Sequence, residues 1–320
     1  MLSVLAVLAA TAAPPTLHWS WPEEGSHRFY IENEVHLPAP VMIYQEMNTQ
    51  ARLVAFQSQL VLDCAVAEER NREWELACTI EDISLVGATM PGDRGNMTAV
   101  LQETDERLTG AILQVMLRKD GHIRHVDLEN VDRRNRRLSS NAETLRLLLV
   151  RALAGLDFRF ARDAEDEAHG WAQFNALLMD APYNRGSQGS SELVNRVTSV
   201  TGDLVVVETA GRGVTAPATD HSTGPANTYR TELSSRARFD RSTGVMQQRM
   251  WTVVGEPTAG SAVADGTDGV DYLQAGSLVY LAPGADAPEL RESQETAAPN
   301  ETTLSAITGW VPIPALQVGQ

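Results

Sequence analysis

The chain has 320 residues, 43% of them hydrophobic, and a formal net charge of -16. That length and apolar content supply one large or two ordinary cores and exclude wholesale disorder. The strong acidic balance argues against a duplex nucleic-acid partner, which needs a concentrated positive surface to displace counterions, and leaves room for one only at a local basic patch.

Residues Leu2 to Ala13 form a short apolar run ending in small residues, and Pro14-Pro15 then breaks any helix. This is the layout of a signal peptide over 1–12, with Ala10 and Ala12 as the small pair before a cut near Ala13. The run is too short to span a bilayer, so no transmembrane segment is expected in the mature chain. A periplasmic or extracellular location follows. An uncleaved apolar terminus is the alternative.

Alternation of apolar and polar residues marks the strands. Phe29, Ile31, Val35 and Leu37 face one way, and Arg28, Tyr30, Glu32, Glu34 and His36 the other. Val54, Phe56, Leu60 and Leu62 share one face of a long strand starting near Arg52 and leading into Cys64. If Cys64 is bonded to Cys78 across an antiparallel hairpin, Leu62 lies opposite Ile80 and Val66 opposite Leu76. Both sulfurs then sit on the apolar side, with the turn in Glu68 to Glu73. Such a bond persists only in an oxidising compartment. Two buried free thiols are the alternative; a zinc site is not, since no closely spaced histidines accompany the pair.

Ala111 to Arg118 and His122 to Leu128 flank Lys119-Asp120-Gly121, where Asp-Gly supplies the positive φ of a tight hairpin. A second hairpin runs from Leu233, Ser235, Ala237 and Phe239 through Asp240 to Gly244 and back along Val245 to Val254. Between these hairpins, Ser140 to Glu143 fits a capping box, and Leu145, Leu148, Leu149, Ala152, Leu153 and Leu156 recur at helical spacing. One amphipathic helix over 140–156 is therefore expected to cover a sheet.

The chain divides near Arg162 to His169 into an N-terminal β-rich half, 13–162, and an antiparallel C-terminal half, 163–282. Trp171 opens a strand in which Ala172, Phe174, Ala176 and Leu178 alternate with Gln173 and Asn175. Asn184 to Ser191 reads as a loop, followed by strands over 193–200 and 204–209. Gly255 to Gly269 reads as another loop and Val270 to Leu281 as the last strand; the Pro- and Glu-rich tail 283–320 is expected to be disordered. The fold class is α+β, mainly antiparallel β, with curved sheets in two halves and one prominent helix.

The order of Gly170-Trp171 at a strand start, a strand ending at Leu204 to Glu208, then Phe239-Asp240 and Gly244 in a hairpin, resembles exported bacterial proteins of the lipoprotein-carrier type and related secreted β-sheet families. The resemblance covers the C-terminal half. It implies a curved antiparallel sheet closed by helices around an apolar cavity, and a role in handling lipid or lipoprotein. No family residue can be carried over.

No constellation names a reaction. The chain lacks a Gly-x-Ser-x-Gly elbow, a phosphate loop and a His-Glu-x-x-His pair. His122 and His125 fall on opposite faces of a strand; His125 and Asp127 share one, as a solvated hairpin face would also have it. No catalytic residue, metal ligand or cofactor is assigned.

The charge distribution is uneven. Residues 118–162 hold 11 Lys and Arg against 6 Asp and Glu, leaving the rest of the chain at -21. Arg133, Arg134, Arg136 and Arg137 are the densest cluster and the candidate contact for an anionic headgroup or acidic partner. An exposed turn before the helix explains them equally. Two functions are carried forward: a non-catalytic carrier of a lipid or other apolar ligand, and an envelope or surface interaction protein with a filled core, with an exported enzyme behind both.

Overall fold

The computed structural model describes residues 16–44, 50–89, 96–129, 152–173, 188–216, 229–257 and 272–296. The expected signal peptide, the Arg133–Arg137 cluster and most of the expected helix 140–156 lie outside them.

The described strands form one sheet, antiparallel except for the last short strand. In chain order they are β1 (His27–Tyr44), β2 (Gln50–Arg70), β3 (Glu73–Thr89), β4 (Ile112–Arg118), β5 (Ile123–Glu129), β6 (Trp171–Gln173), β7 (Gln188–Thr201), β8 (Leu204–Ala216), β9 (Tyr229–Asp240), β10 (Val245–Pro257), β11 (Tyr272–Leu281) and β12 (Gln294–Thr296). Their spatial order is β5-β4-β3-β2-β1-β11-β10-β9-β8-β7-β6, with β12 added to β3. Each half of the chain is thus a meander, and the first and last long strands join the halves through the β1–β11 ladder. The two halves share one sheet and do not form two.

The hairpins follow their turn chemistry. Cys64 pairs with Cys78, Leu62 with Ile80 and Val66 with Leu76, and the two cysteines form a disulfide with Cα atoms 3.9 Å apart. Bulges at Val61/Leu62 and Val66/Glu68 end this register at both sides. Gly121 closes the β4–β5 turn at φ 87°, and a Cβ there would meet the Phe158 carbonyl oxygen at 1.9 Å, so the residue answers both to the turn and to a close backbone approach.

Two helices are described. α1 (Met97–Leu108) begins at Asn96, whose side chain accepts from the Ala99 N–H, and buries Met97, Leu101, Thr104 and Leu108 against β3 and β12. α2 (Ala164–His169) is capped by Asp163. Sequence periodicity had singled out neither. Of the expected helix over 140–156, the described end consists of Ala152 and Leu153 in helix and 154–156 in a turn.

Three further expectations are corrected. β7 begins at Gln188, inside the stretch read as a loop. In β6, Trp171 and Gln173 point inward and Ala172 is exposed, because Gln173 finds hydrogen-bond partners inside. The tail is ordered as far as Thr296: β12 pairs in parallel with Val86 to Ala88, and Ala287 and Leu290 pack on Tyr30, Val61 and Leu281. This strap explains why Tyr30 is buried although it lies on the outer face of β1.

The sheet curls around its own chain. Phe158 N–H donates to Gly121 O at 3.1 Å and Phe160 N–H to Asp120 O at 2.9 Å, beside the β4–β5 edge. Arg159 O accepts from Trp171 Nε1 at 2.6 Å and from Asn195 Nδ2 at 3.3 Å, at the β6–β7 edge. One short segment therefore touches both ends of the strand order, which requires the sheet to bend back on itself. One buried cluster runs from Leu113 and Val115 through Phe29, Leu60 and Trp251 to Leu193.

Candidate site on the inner face of the sheet

The inner face is apolar at one end. Trp19, from the segment before β1, packs on Trp21, Phe29, Phe160 and Phe239 with ring centroids 5.8–6.4 Å apart, and Phe158 lies 4.9 Å from Phe239. Cys64 and Cys78 belong to the same cluster and are fully buried. The segment carrying Trp19 is held by Ser20 N–H to Gly244 O at 2.8 Å and by Leu17 N–H to Glu167 Oε2 at 3.1 Å; the buried Glu167 also pairs with Arg241.

A polar belt crosses the middle of this face. Register places Ser58, Asn33, Gly276 and Trp251 on one rung across β2, β1, β11 and β10. The same rung continues through Ser235, Thr209, Asn195 and Trp171 across β9, β8, β7 and β6. Period two of the strand brings all of them to the face that carries Phe29 and Ile31. Each is buried.

Part of the belt is knitted together. Thr209 Oγ1 donates to Asn195 Oδ1 at 2.6 Å, and Asn195 Nδ2 donates to Gln173 Oε1 at 3.3 Å. Gln274 Nε2 donates to Asn33 Oδ1 at 2.9 Å. Arg249, fully buried on the next inward position of β10, donates from Nε to Ser235 Oγ and from Nη1 to the carbonyls of Ala154, Gly155 and Asp157. Three backbone acceptors at the end of a helical turn suit a cation, because the turn's carbonyls carry partial negative charge. Burial pulls the Arg249 guanidinium down to about 10, and the nearby Asp157 carboxylate works in the opposite sense. Asp157, also fully buried, accepts from Ile123 N–H at 2.9 Å and from His122 Nδ1 at 3.0 Å, and this hydrogen bond raises the His122 imidazole above its ordinary range.

The rest of the belt is not knitted. Among the described residues, Trp251 Nε1, Asn33 Nδ2 and Ser58 Oγ on the belt, and Thr231 Oγ1 and Arg249 Nη2 on other inward rungs, are buried without a hydrogen-bond partner. Each such group costs about 1–3 kcal/mol. Native interiors rarely gather several in one place without a reason. Beyond the belt, the next rung is Phe56, Val35, Gln274, Val253 and Leu233, apolar except for Gln274.

The outer face has the opposite character. On β7 to β9 it carries Glu192, Arg196, Glu208, Arg212, Glu232 and Arg236, with Arg212 bonded to Glu232 across strands at 2.8 Å. A barrel that spans a membrane turns an apolar band outward, and this stretch of sheet turns charges outward. Val194, Val214, Met250 and Val254 are exposed singly among them. No helix among the described residues is long and apolar enough to cross a membrane.

The residues singled out from sequence fall in different places. Cys64 and Cys78 lie beneath the aromatic end of the inner face. His122 is tied to Asp157, whereas His125 and Asp127 are exposed on β5. Of the described cations that precede the arginine cluster in sequence, Lys119 pairs with Glu69 at 2.6 Å, Arg124 with Glu73 at 3.5 Å and Arg118 with Asp120 at 3.4 Å. Among the described residues no group of three or more His, Cys, Asp or Glu side chains is placed to hold a metal. Sequence reasoning missed the belt. Asn33, Ser235 and Trp251 do share parity with the apolar residues of their strands, which was the available signal.

No protein-family model matches this chain, and no curated protein matches it. Among solved structures, an outer membrane channel from Pseudomonas putida F1 aligns with 82% of this chain and 97% of its own, at 7% identity and a TM-score of 0.26. A likeness at that score carries no argument about fold or function.

Proposed function

We propose that this protein is an exported, non-catalytic carrier that shelters an apolar or amphipathic molecule against the inner face of its curled sheet. The observation that carries the reading is the polar belt: three buried groups without partners among the described residues, on Ser58, Asn33 and Trp251, share one rung of an apolar face, where a cargo would meet both polar groups and apolar surface. The buried disulfide supports a periplasmic or extracellular place of work, since such bonds persist under oxidising conditions. A lipid or a lipid-bearing envelope protein is the partner class this implies.

The competing reading is an envelope interaction protein with a filled core, and the aromatic packing around Trp19 favours it at that end of the sheet. The two readings differ in uptake. Purified protein stripped of lipid should bind an alkyl-chain fluorophore saturably, with one probe per chain. A signal that rises linearly with probe, as for adsorption to any surface, would favour the filled core.

A further inference from the structure

We propose that the outer face of β7 to β10 is the surface through which two copies of this chain associate, face to face about a two-fold axis. The register lays two rows of alternating charge across that face. Glu192, Arg212 and Glu232 form one row, and Arg196, Glu208 and Arg236 the other, four residues away along each strand. Arg212 is bonded to Glu232 at 2.8 Å, and Arg236 lies 3.9 Å from Glu208. Between the rows runs a line of smaller side chains, Val194, Ala210 and Ser234, continued by Thr252 on β10. The charged rows rise above this floor. Glu192, Val194, Arg196, Glu208, Ala210 and Arg212 line a hollow of about 660 Å³ that is open to solvent.

The pattern is complementary to itself. A two-fold axis laid above the middle line and parallel to it sets β7 of one copy over β7 of the other, running in opposite directions, and likewise β8 and β9. The rotation exchanges the two charged rows. Glu192 then faces Arg196 of the second copy, Arg212 faces Glu208 and Glu232 faces Arg236, so every charge in the two rows meets an opposite one. On β10 the same rotation turns about Thr252 and sets Met250 against Val254. These two are 37% and 40% exposed, and Val194 beside the axis is 42% exposed. A partner of another kind would place no such demand on residues four apart on three successive strands. The charges of the two rows also cancel, so the contact adds no repulsion between chains that each carry -16.

The size of the patch sets the strength. Four strands about 4.8 Å apart, matched over about nine residues of about 3.3 Å each, present roughly 550 Å² on each copy. A standard interface buries about 800 Å² a side, so a weak dimer with a dissociation constant of about 10–100 μM is expected. The inner face is untouched by this contact, so the dimer does not depend on the carrier reading.

Sedimentation equilibrium of the purified full chain tests the proposal. The mean mass should rise with concentration from that of one chain toward twice that value. One triple variant, Glu192→Arg, Arg212→Glu and Glu232→Arg, keeps the signs alternating within the chain but sets like charges opposite each other across the axis. A second, Arg196→Glu, Glu208→Arg and Arg236→Glu, does the same from the other row. Each alone should associate about tenfold or more weakly than the native chain. Mixed in equal amounts, the two should form a heterodimer, because inverted row then meets inverted row and native row meets native row. Variants that fail to fold do not regain association on mixing. A native chain that keeps the mass of one chain up to about 1 mM would overturn the proposal. So would triple variants that associate as the native chain does, or a mixture that stays apart.

Discussion

The Arg249 guanidinium donates to the Asp157 carbonyl at 2.8 Å, fastening the 152–157 turn to β10 inside the curl of the sheet. The same nitrogen reaches Ala154 O at 3.2 Å and Gly155 O at 3.1 Å. Even with its pKa lowered to about 10, the group keeps its proton at neutral pH. Arg249→Met keeps much of the volume but strands three buried carbonyls and leaves the Asp157 carboxylate without its nearby cation. It should cost about 3–5 kcal/mol in urea denaturation. A loss below about 1 kcal/mol would mean that the turn is held by its other contacts.

His122 gives the fold a pH dependence of known sign. Its hydrogen bond to Asp157 raises the folded-state pKa above the ordinary 6.5, so the folded protein holds this proton more tightly than the unfolded chain does. The resulting stability is fully present below about 6.5 and is lost as pH rises through the raised folded value. The melting-temperature difference between the native protein and His122→Gln should therefore be largest near pH 6 and shrink toward pH 9, to be read by thermal scans at matched ionic strength. His27, whose pKa is lowered by burial, works in the opposite direction. It is common to both proteins and cancels in the difference.

The disulfide closes a separation of 14 residues beneath the aromatic end of the inner face. The paired substitution of Cys64 and Cys78 by Ala should destabilise by about 2–5 kcal/mol, and the native protein should show no free thiol by mass spectrometry under denaturing, non-reducing conditions. An unchanged denaturation midpoint in the double variant would show that the flanking ladder alone holds the hairpin.

Gly276→Ala tests the close packing at the belt without removing a polar side chain. Its Cβ would meet Trp251 Cζ2 at 2.2 Å and Glu32 O at 2.8 Å, so the indole must move or the strands must part. Overpacking of this kind costs about 1–3 kcal/mol. Tryptophan emission should shift with it; a variant of native stability and spectrum would contradict the placement of the ring.

What could be read from sequence was local. The Asp-Gly turn at Asp120-Gly121, the hairpin at Asp240 to Gly244 and the cysteine register all depend on residues within one hairpin, where side-chain parity and turn chemistry act directly. What depended on partners far along the chain was not legible. Gln173 faces inward because Asn195 and the Arg159 backbone satisfy it. The Pro- and Glu-rich segment after Leu281 is ordered because Ser293 Oγ accepts from Leu85 N–H and donates to Asp105, while Leu290 covers Tyr30 and Val61. Composition describes such a segment in isolation and says nothing of the sheet it lands on. The belt was hidden for a related reason: Asn33, Ser58 and Trp251 are unremarkable in their own strands and form a row only when β1, β2, β11 and β10 are set side by side.

The central claim is that the inner face takes up a molecule, and native mass spectrometry of protein exported by a bacterial host and purified without detergent tests it most directly. The carrier reading predicts a fraction of chains carrying one added mass, which organic extraction removes and which Trp251→Phe reduces. A single bare mass in every preparation, unchanged after incubation with acyl lipids, would contradict it and leave a filled-core protein in its place.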